Sequence, residues 1–206
     1  MGRPAQPAPR FPRREAAARR TRTALVTAAA ELFAERGYAA ATIAAIAGRA
    51  GVARPTVFTS VPGGKPELLK LARDMAIAGD DEPVPVPERD WFRSAMAQDD
   101  PAELLGRQAG NYRMILDRAA ALELVLITAA AIDPELGPLL EQARAQRAMG
   151  TRLVVRRLVE LQALPPERAQ TAADTSTLWP APRCTRCSSA TVAGQRTTIS
   201  SGSPRN

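Results

Sequence analysis

Residues 42–65 read TIAAIAGRAGVARPTVFTSVPGGK, and how this stretch folds decides how the rest is understood. Thr42 stands where a helix wants its N-cap: a threonine oxygen can accept from a backbone N–H that the first turn leaves unpaired. Ile43, Ile46, Ala47 and Ala50 then recur at helical spacing on one face. Gly51 follows, and glycine accepts the left-handed conformation that ends a helix. Val52 can bury in the turn. A second helix starts at Ala53 or Arg54, with Pro55 tolerated in a first turn that needs no N–H. The spacing predicts a helix-turn-helix, whose second helix can lie in the major groove of DNA. A plain αα-hairpin in a bundle has the same local signals, so the stretch alone leaves both readings open.

Working outward, the 206 residues suffice for one or two domains with a real core. Hydrophobic residues make up 45% and aromatics only 4%, and alanine and leucine dominate, which favours helices. β-Branched alternation never persists, so an all-α fold is expected. The net charge of +7 is unevenly spread. Residues 1–75 carry 13 basic and 5 acidic side chains, residues 76–170 carry 11 and 15, and residues 171–206 carry 4 and 1. A basic front on an acidic middle points to a polyanionic partner for the front alone.

Residues 1–12 are Pro-rich and predict a disordered arm. A long helix is expected over 13–36, with Leu25, Ala28, Ala29, Leu32 and Phe33 as its stripe and Gly37 as its end. Its front is crowded with Arg13, Arg14, Arg19, Arg20 and Arg22, a run that could reach phosphates or the minor groove. Pro62, Gly63 and Gly64 form a turn, and Lys65 opens a helix to about residue 78. Three prolines in 80–87 (DDEPVPVP) predict a loop and a domain boundary. Further helices are expected over 88–98, from Asp100 and Pro101 onward, from Asp133 and Pro134 to about 161, and over 167–179. The apolar run 119–132, AAALELVLITAAAI, predicts burial on most sides, with only Glu123 and Thr128 breaking it. Residues 180–206 have no helical stripe and no leucine, and predict a disordered tail.

Residues 20–70 resemble the TetR family of bacterial transcriptional regulators. The likeness is carried by Leu25, Ala29, Leu32-Phe33, Gly37-Tyr38, Thr42-Ile43, Ile46-Ala47, Ala50-Gly51-Val52, Thr56-Val57-Phe58, Lys65 and Leu68. It implies an N-terminal DNA-binding domain over 13–79 and a helical ligand-binding and dimerisation domain over 80–179. It assigns Arg54, Pro55, Thr56, Phe58, Thr59 and Ser60 to the helix that meets DNA. Arg54 could grip guanine, and Thr56 and Thr59 a thymine methyl or a phosphate. Thr42, Lys65, Arg20 and Arg22 would meet the backbone. Phe58 stands where the family usually has tyrosine, and loses its hydroxyl. The stretch from Thr56 to Lys65 is one residue longer than the family pattern, with Pro62 the extra residue, which could shift Lys65 off its phosphate.

The resemblance also implies a last long helix that residues 180–206 do not supply. Their Ser, Thr, Arg, Cys, Gly and Pro content is that of a shifted GC-rich reading frame. One chosen set of codons for residues 182–206, read one frame over, gives an uninterrupted EVHPVLVSDRGWTADDYIKWLAE with a helical stripe. The nucleotide sequence decides whether that overlap exists. On this reading Cys184 and Cys187 are accidental; in any case the pair lacks the further ligands a zinc site needs, since the chain has no other cysteine and no histidine.

The expected function is therefore a ligand-responsive regulator, most simply a repressor that binds a palindromic operator as a homodimer. Trp91, Met96, Tyr112, Met114, Leu116, Leu126 and Met149 are the candidate walls of a small-molecule pocket. No cofactor and no metal are expected. The absence of histidine removes the commonest general base, and no nucleophile elbow or Gly-rich phosphate loop occurs, so catalysis is not expected. No run approaches 18 apolar residues and no signal-peptide core is present, which predicts a cytoplasmic protein without membrane contact. The alternatives are a helical scaffold or small-molecule-binding protein, and a regulator whose altered C-terminus impairs dimerisation.

Overall fold

The computed structural model describes residues 11–178, and they are all-α. Eight helices follow one another among them: α1 (Phe11–Ala40), α2 (Ile43–Arg49), α3 (Arg54–Ser60), α4 (Gly64–Ala78), α5 (Asp90–Met96), α6 (Pro101–Ala130), α7 (Gly137–Glu160) and α8 (Ala169–Leu178). Single 3₁₀ turns precede α5, α7 and α8. No helix among the described residues is long and apolar enough to cross a membrane. The tail at 180–206, with Cys184 and Cys187, lies outside the described residues, as do residues 1–10. Helix α1 begins at Phe11, inside the stretch expected to be unstructured. At its other end Gly37 takes φ 75° and ψ 173°, so the regular helix stops there as expected and one further turn leads to Ala40.

The chain divides into two compact units, Met1–Gln146 and Arg147–Asn206. The Pro-rich loop, where the sequence suggests a boundary, lies inside the first unit. Arg89 explains how it is pinned. Its guanidinium, 8% exposed, pairs with both Asp80 oxygens at 2.6 and 2.9 Å and donates to the carbonyls of Val84 and Glu82. One apolar cluster then links α1–α4 to the later part of α6. Leu25, Leu32 and Phe33 of α1, Ile46 of α2, Val57 of α3, and Leu68 and Leu69 of α4 belong to the same buried cluster as Leu122, Leu126 and Ala129 of α6 and Leu136 beyond it.

Two polar links tie α4 to α6. Arg118 of α6 donates to the last carbonyls of α4, those of Ala76 and Ile77, both at 2.9 Å, where a cation suits the helix end. Gly79 makes this possible: it sits at φ +98°, and a Cβ there would come within 2.7 Å of Arg118 Nη1. Deeper in, Arg73 (3% exposed) donates through Nε to Glu123 Oε1 (Glu123 is 5% exposed) and through Nη1 to Gln146 Oε1 at 3.1 Å.

This corrects the reading of the apolar run 119–132. Residues 119–130 of the run belong to α6 and bury one side only: Ala119, Leu122, Leu126 and Ala129 are inside while Leu124 is 36% exposed, and Ile132, in the turn after the helix, is 78% exposed. Glu123, expected to interrupt the apolar face, lies within it because Arg73 supplies a counter-charge. In the second unit, α7 ends where Gln162 adopts φ 58° and the N–H groups of Ala163 and Leu164 both turn back to Leu158 O. Helix α8 begins after the turn Pro166–Arg168.

Removing one partner of a buried pair strands a charge, whereas replacing both with apolar groups need not. Glu123→Leu alone should lower unfolding free energy by about 3–5 kcal/mol. Arg73→Met with Glu123→Leu should recover most of that loss, read from urea denaturation of the three proteins.

Candidate nucleic-acid interface

Helices α2 and α3 form the helix-turn-helix that the stretch at 42–65 predicts. Thr42 Oγ1 accepts from Ala45 N at 3.1 Å, the expected N-cap. Gly51 takes φ +68°, and Val52 N donates to Ala47 O at 3.0 Å, closing the turn. Helix α3 starts at Arg54 with Pro55 in its first turn. Ile46, Ala47 and Val57 are buried, and Val61, the residue after α3, is fully buried as well. Arg49, in the last turn of α2, grips Glu35 of α1 through two bonds of 2.6 and 2.9 Å and so fixes the pair against α1.

Counted at about 100° per residue from the inward-pointing Val57, Pro55 and Thr59 lie opposite it, Phe58 lies to one side, and Arg54, at the open start of the helix, stands about 40° from Phe58 on that same side. All four are exposed, Phe58 to 47%, while Thr56 and Ser60 are half-buried. Six site residues expected from the sequence thus share one short helix, of which four face out. Arg54 makes no ion pair among the described residues and is free to meet an anion or a base edge. Thr42 is exposed, and its hydroxyl hydrogen remains available after the capping bond.

Lys65 is placed otherwise than a freely projecting phosphate ligand. Its amine lies 4.3 Å from the centroid of the Tyr38 ring and donates to Ala39 O at 3.3 Å. Burial pushes that amine below its ordinary pKa, with Asp133 opposing the shift. Tyr38 stacks on Phe33 at 5.7 Å, and burial, with Asp133 and Glu135 adding to it, pushes its phenol up to about 12. The lysine at the start of α4 therefore stitches down the last turn of α1, beyond Gly37.

Toward the front of α1, Arg20 and Arg22 are exposed and make no ion pair among the described residues. Arg19 is engaged: it pairs with Asp81 at 2.6 and 3.1 Å, and Thr23 Oγ1 donates to the same carboxylate at 2.6 Å. Arg19, Arg20, Thr23, Glu31, Arg49 and Asp81 rim an open groove of about 670 Å³ whose floor is alanine. Nothing in the sequence pointed to this clamp, because Asp81 lies 58 residues from Thr23.

The candidate pocket residues fall into three settings. Trp91 and Met96 of α5, with Tyr112, Met114 and Leu116 of α6, are half-buried. Leu126 is fully buried in the main core, and Met149 on α7 is 53% exposed. Two polar residues that the sequence reading passed over sit among the first group: Gln108, 4% exposed, donates to Met96 Sδ at 3.4 Å, and Asn111 Nδ2 donates to Trp91 O at 3.2 Å.

Residues 25–70, which hold the second half of α1, all of α2 and α3, and the start of α4, match the family model described as bacterial regulatory proteins, tetR family. No curated protein matches the chain.

The clamp and its neighbours set a pH dependence. The Arg19 hydrogen bond, with Thr23 assisting, holds Asp81 well below the usual carboxylate range. Arg89 also lowers the pKa of Asp80, and Arg49 that of Glu35. Each is easier to ionise folded than unfolded, so the unfolded chain takes up protons first. Stability should be undiminished above the ordinary carboxylate pKa of about 4 and fall as pH drops below it. Asp81→Asn should flatten that fall, seen as a smaller loss of urea midpoint between pH 7 and pH 3. A curve parallel to that of the parent would mean that the clamp contributes nothing.

Proposed function

We propose that the chain is a DNA-binding transcriptional regulator of the TetR family that acts as a ligand-responsive repressor, binding a palindromic operator as a homodimer. The observation that carries this reading is the outer face of α3. Arg54, Pro55, Phe58 and Thr59 stand exposed on a helix held rigidly from behind by Val57 and Val61. Base edges would meet this face, with Arg54 bidentate to guanine. Thr42, Arg20 and Arg22 would hold phosphates, and Lys65 would join them by leaving Tyr38. Thr56 and Ser60, half-buried at the edges of the face, would touch the flanking backbone.

The division of labour we propose is 13–79 for DNA and 80–179 for effector binding and pairing, with the two halves sharing a core inside the first compact unit. Trp91, Met96, Tyr112, Met114 and Leu116, with Gln108 and Asn111 as polar groups, are the favoured lining for a small, mainly apolar effector; Leu126 and Met149 are less suited by their positions. Two recognition helices of the homodimer would enter successive major grooves about 34–36 Å apart. An effector that prefers a different separation weakens DNA binding by its difference in affinity for the two arrangements.

Selection from random duplex DNA tests this directly, and a palindrome is the expected product. Log affinity should fall linearly with log salt concentration, as counterion release requires. Arg54→Ala should weaken operator binding by about 1–3 kcal/mol and relax the preference at one position of each half-site. Folded protein that binds no duplex in dilute buffer would overturn the reading.

A further inference from the structure

We propose that Phe58 reads a thymine methyl group, so that the preferred DNA carries a thymine close to the guanine gripped by Arg54. The proposal rests on the assignment of α3 to the major groove made above.

Phe58 is 47% exposed although Val57 beside it is fully buried, so the ring is held outward by the helix itself. It does not hang free: its Cε1 passes 3.9 Å from where a Cβ at Gly64 would stand, which rests the ring beside the backbone entering α4. A bare ring has no hydrogen to donate and no lone pair to offer. The major groove presents donors and acceptors on every base pair, and one apolar group, the C5 methyl of thymine. An exposed phenyl on the groove-facing side of a helix has that group as its one favourable base contact. Pro55 and Thr59 flank Phe58 and carry no charge, and the Thr59 hydroxyl donates to Thr56 O at 3.1 Å, so Arg54 is the single charged reader there. Arg54 and Phe58 stand four residues apart, a rise of about 6 Å, and stacked base pairs are about 3.4 Å apart. The thymine therefore falls about two base pairs from the guanine.

The experiment starts from the duplex that the full chain selects from a random pool. Each thymine is replaced in turn by deoxyuridine, which deletes the methyl and keeps every hydrogen-bonding group. Affinities are read by fluorescence anisotropy at one salt concentration. One thymine in each half-site, within about three base pairs of a guanine, should lose about fourfold in affinity on replacement, the worth of burying one methyl-sized group. Phe58→Ala should weaken binding to the thymine duplex and bind the uracil duplex equally well. Phe58→Leu, which keeps an apolar tip, should retain part of the discrimination, and matched thermal melts should show that both variants fold as the parent does. Equal affinity of the parent for the two duplexes overturns the proposal and leaves DNA binding standing. A penalty that survives Phe58→Ala also overturns it, by assigning the methyl to Thr56 or Thr59. Recovery of no duplex at all overturns the groove assignment together with the proposal.

Discussion

A helix of seven residues does not hold itself in water: nucleation costs more than so few hydrogen bonds return. Both helices that would meet DNA, α2 and α3, are of this length. Their geometry is imposed from outside, by burial of Ile46, Ala47, Val57 and Val61 in one cluster with Leu25, Leu32 and Phe33. The Thr42 cap and the Arg49–Glu35 pair add polar restraints at their ends. The direction in which Arg54 and Phe58 project is thus a property of the core beneath them.

That core does not stop at α4. Leu122, Leu126 and Leu136 are buried in the same cluster, Arg118 caps α4 from α6, and Arg73 finds its counter-charge on α6. A displacement of α6 is therefore felt at α4, and from there at the turn that Lys65 stitches to Tyr38. Close-packed interiors pass on such strain because they have few voids to absorb it. The loop 80–87 contributes through different chemistry, with Asp81 reaching back to Arg19 on α1 and Asp80 held by Arg89.

Features whose causes lie within a turn of helix were legible in the chain. Thr42, Gly51 and Pro55 each set a local boundary, and the structure places α2 and α3 within a residue of where they put them. Gly37 and Asp100 did the same for α1 and α6. What escaped reading depends on partners far along the chain. Arg73 looks like a surface cation until Glu123, 50 residues on, is seen beside it. Lys65 has the position of a phosphate ligand, but Tyr38 and the Ala39 carbonyl, which precede it by more than 20 residues, draw its amine inward. The run 119–132 misled because composition reports how apolar a stretch is and not how many neighbours it has: Leu124 of α6 is 36% exposed, and Ile132, in the turn beyond the helix, 78%.

The seam between α4 and α6 limits how freely this molecule can trade parts with its kin. Bacterial regulators invite shuffling, since a reader of one sequence joined to a sensor of another chemical makes a new circuit. Here the join would cut between Arg73 and Glu123, each almost wholly enclosed. A hybrid built at the proline-rich loop would inherit a solitary guanidinium or a solitary carboxylate in an oily setting, at a cost of about 3–5 kcal/mol, a large part of what a domain has to spare. Successful grafts would have to carry both charges across together, or neither.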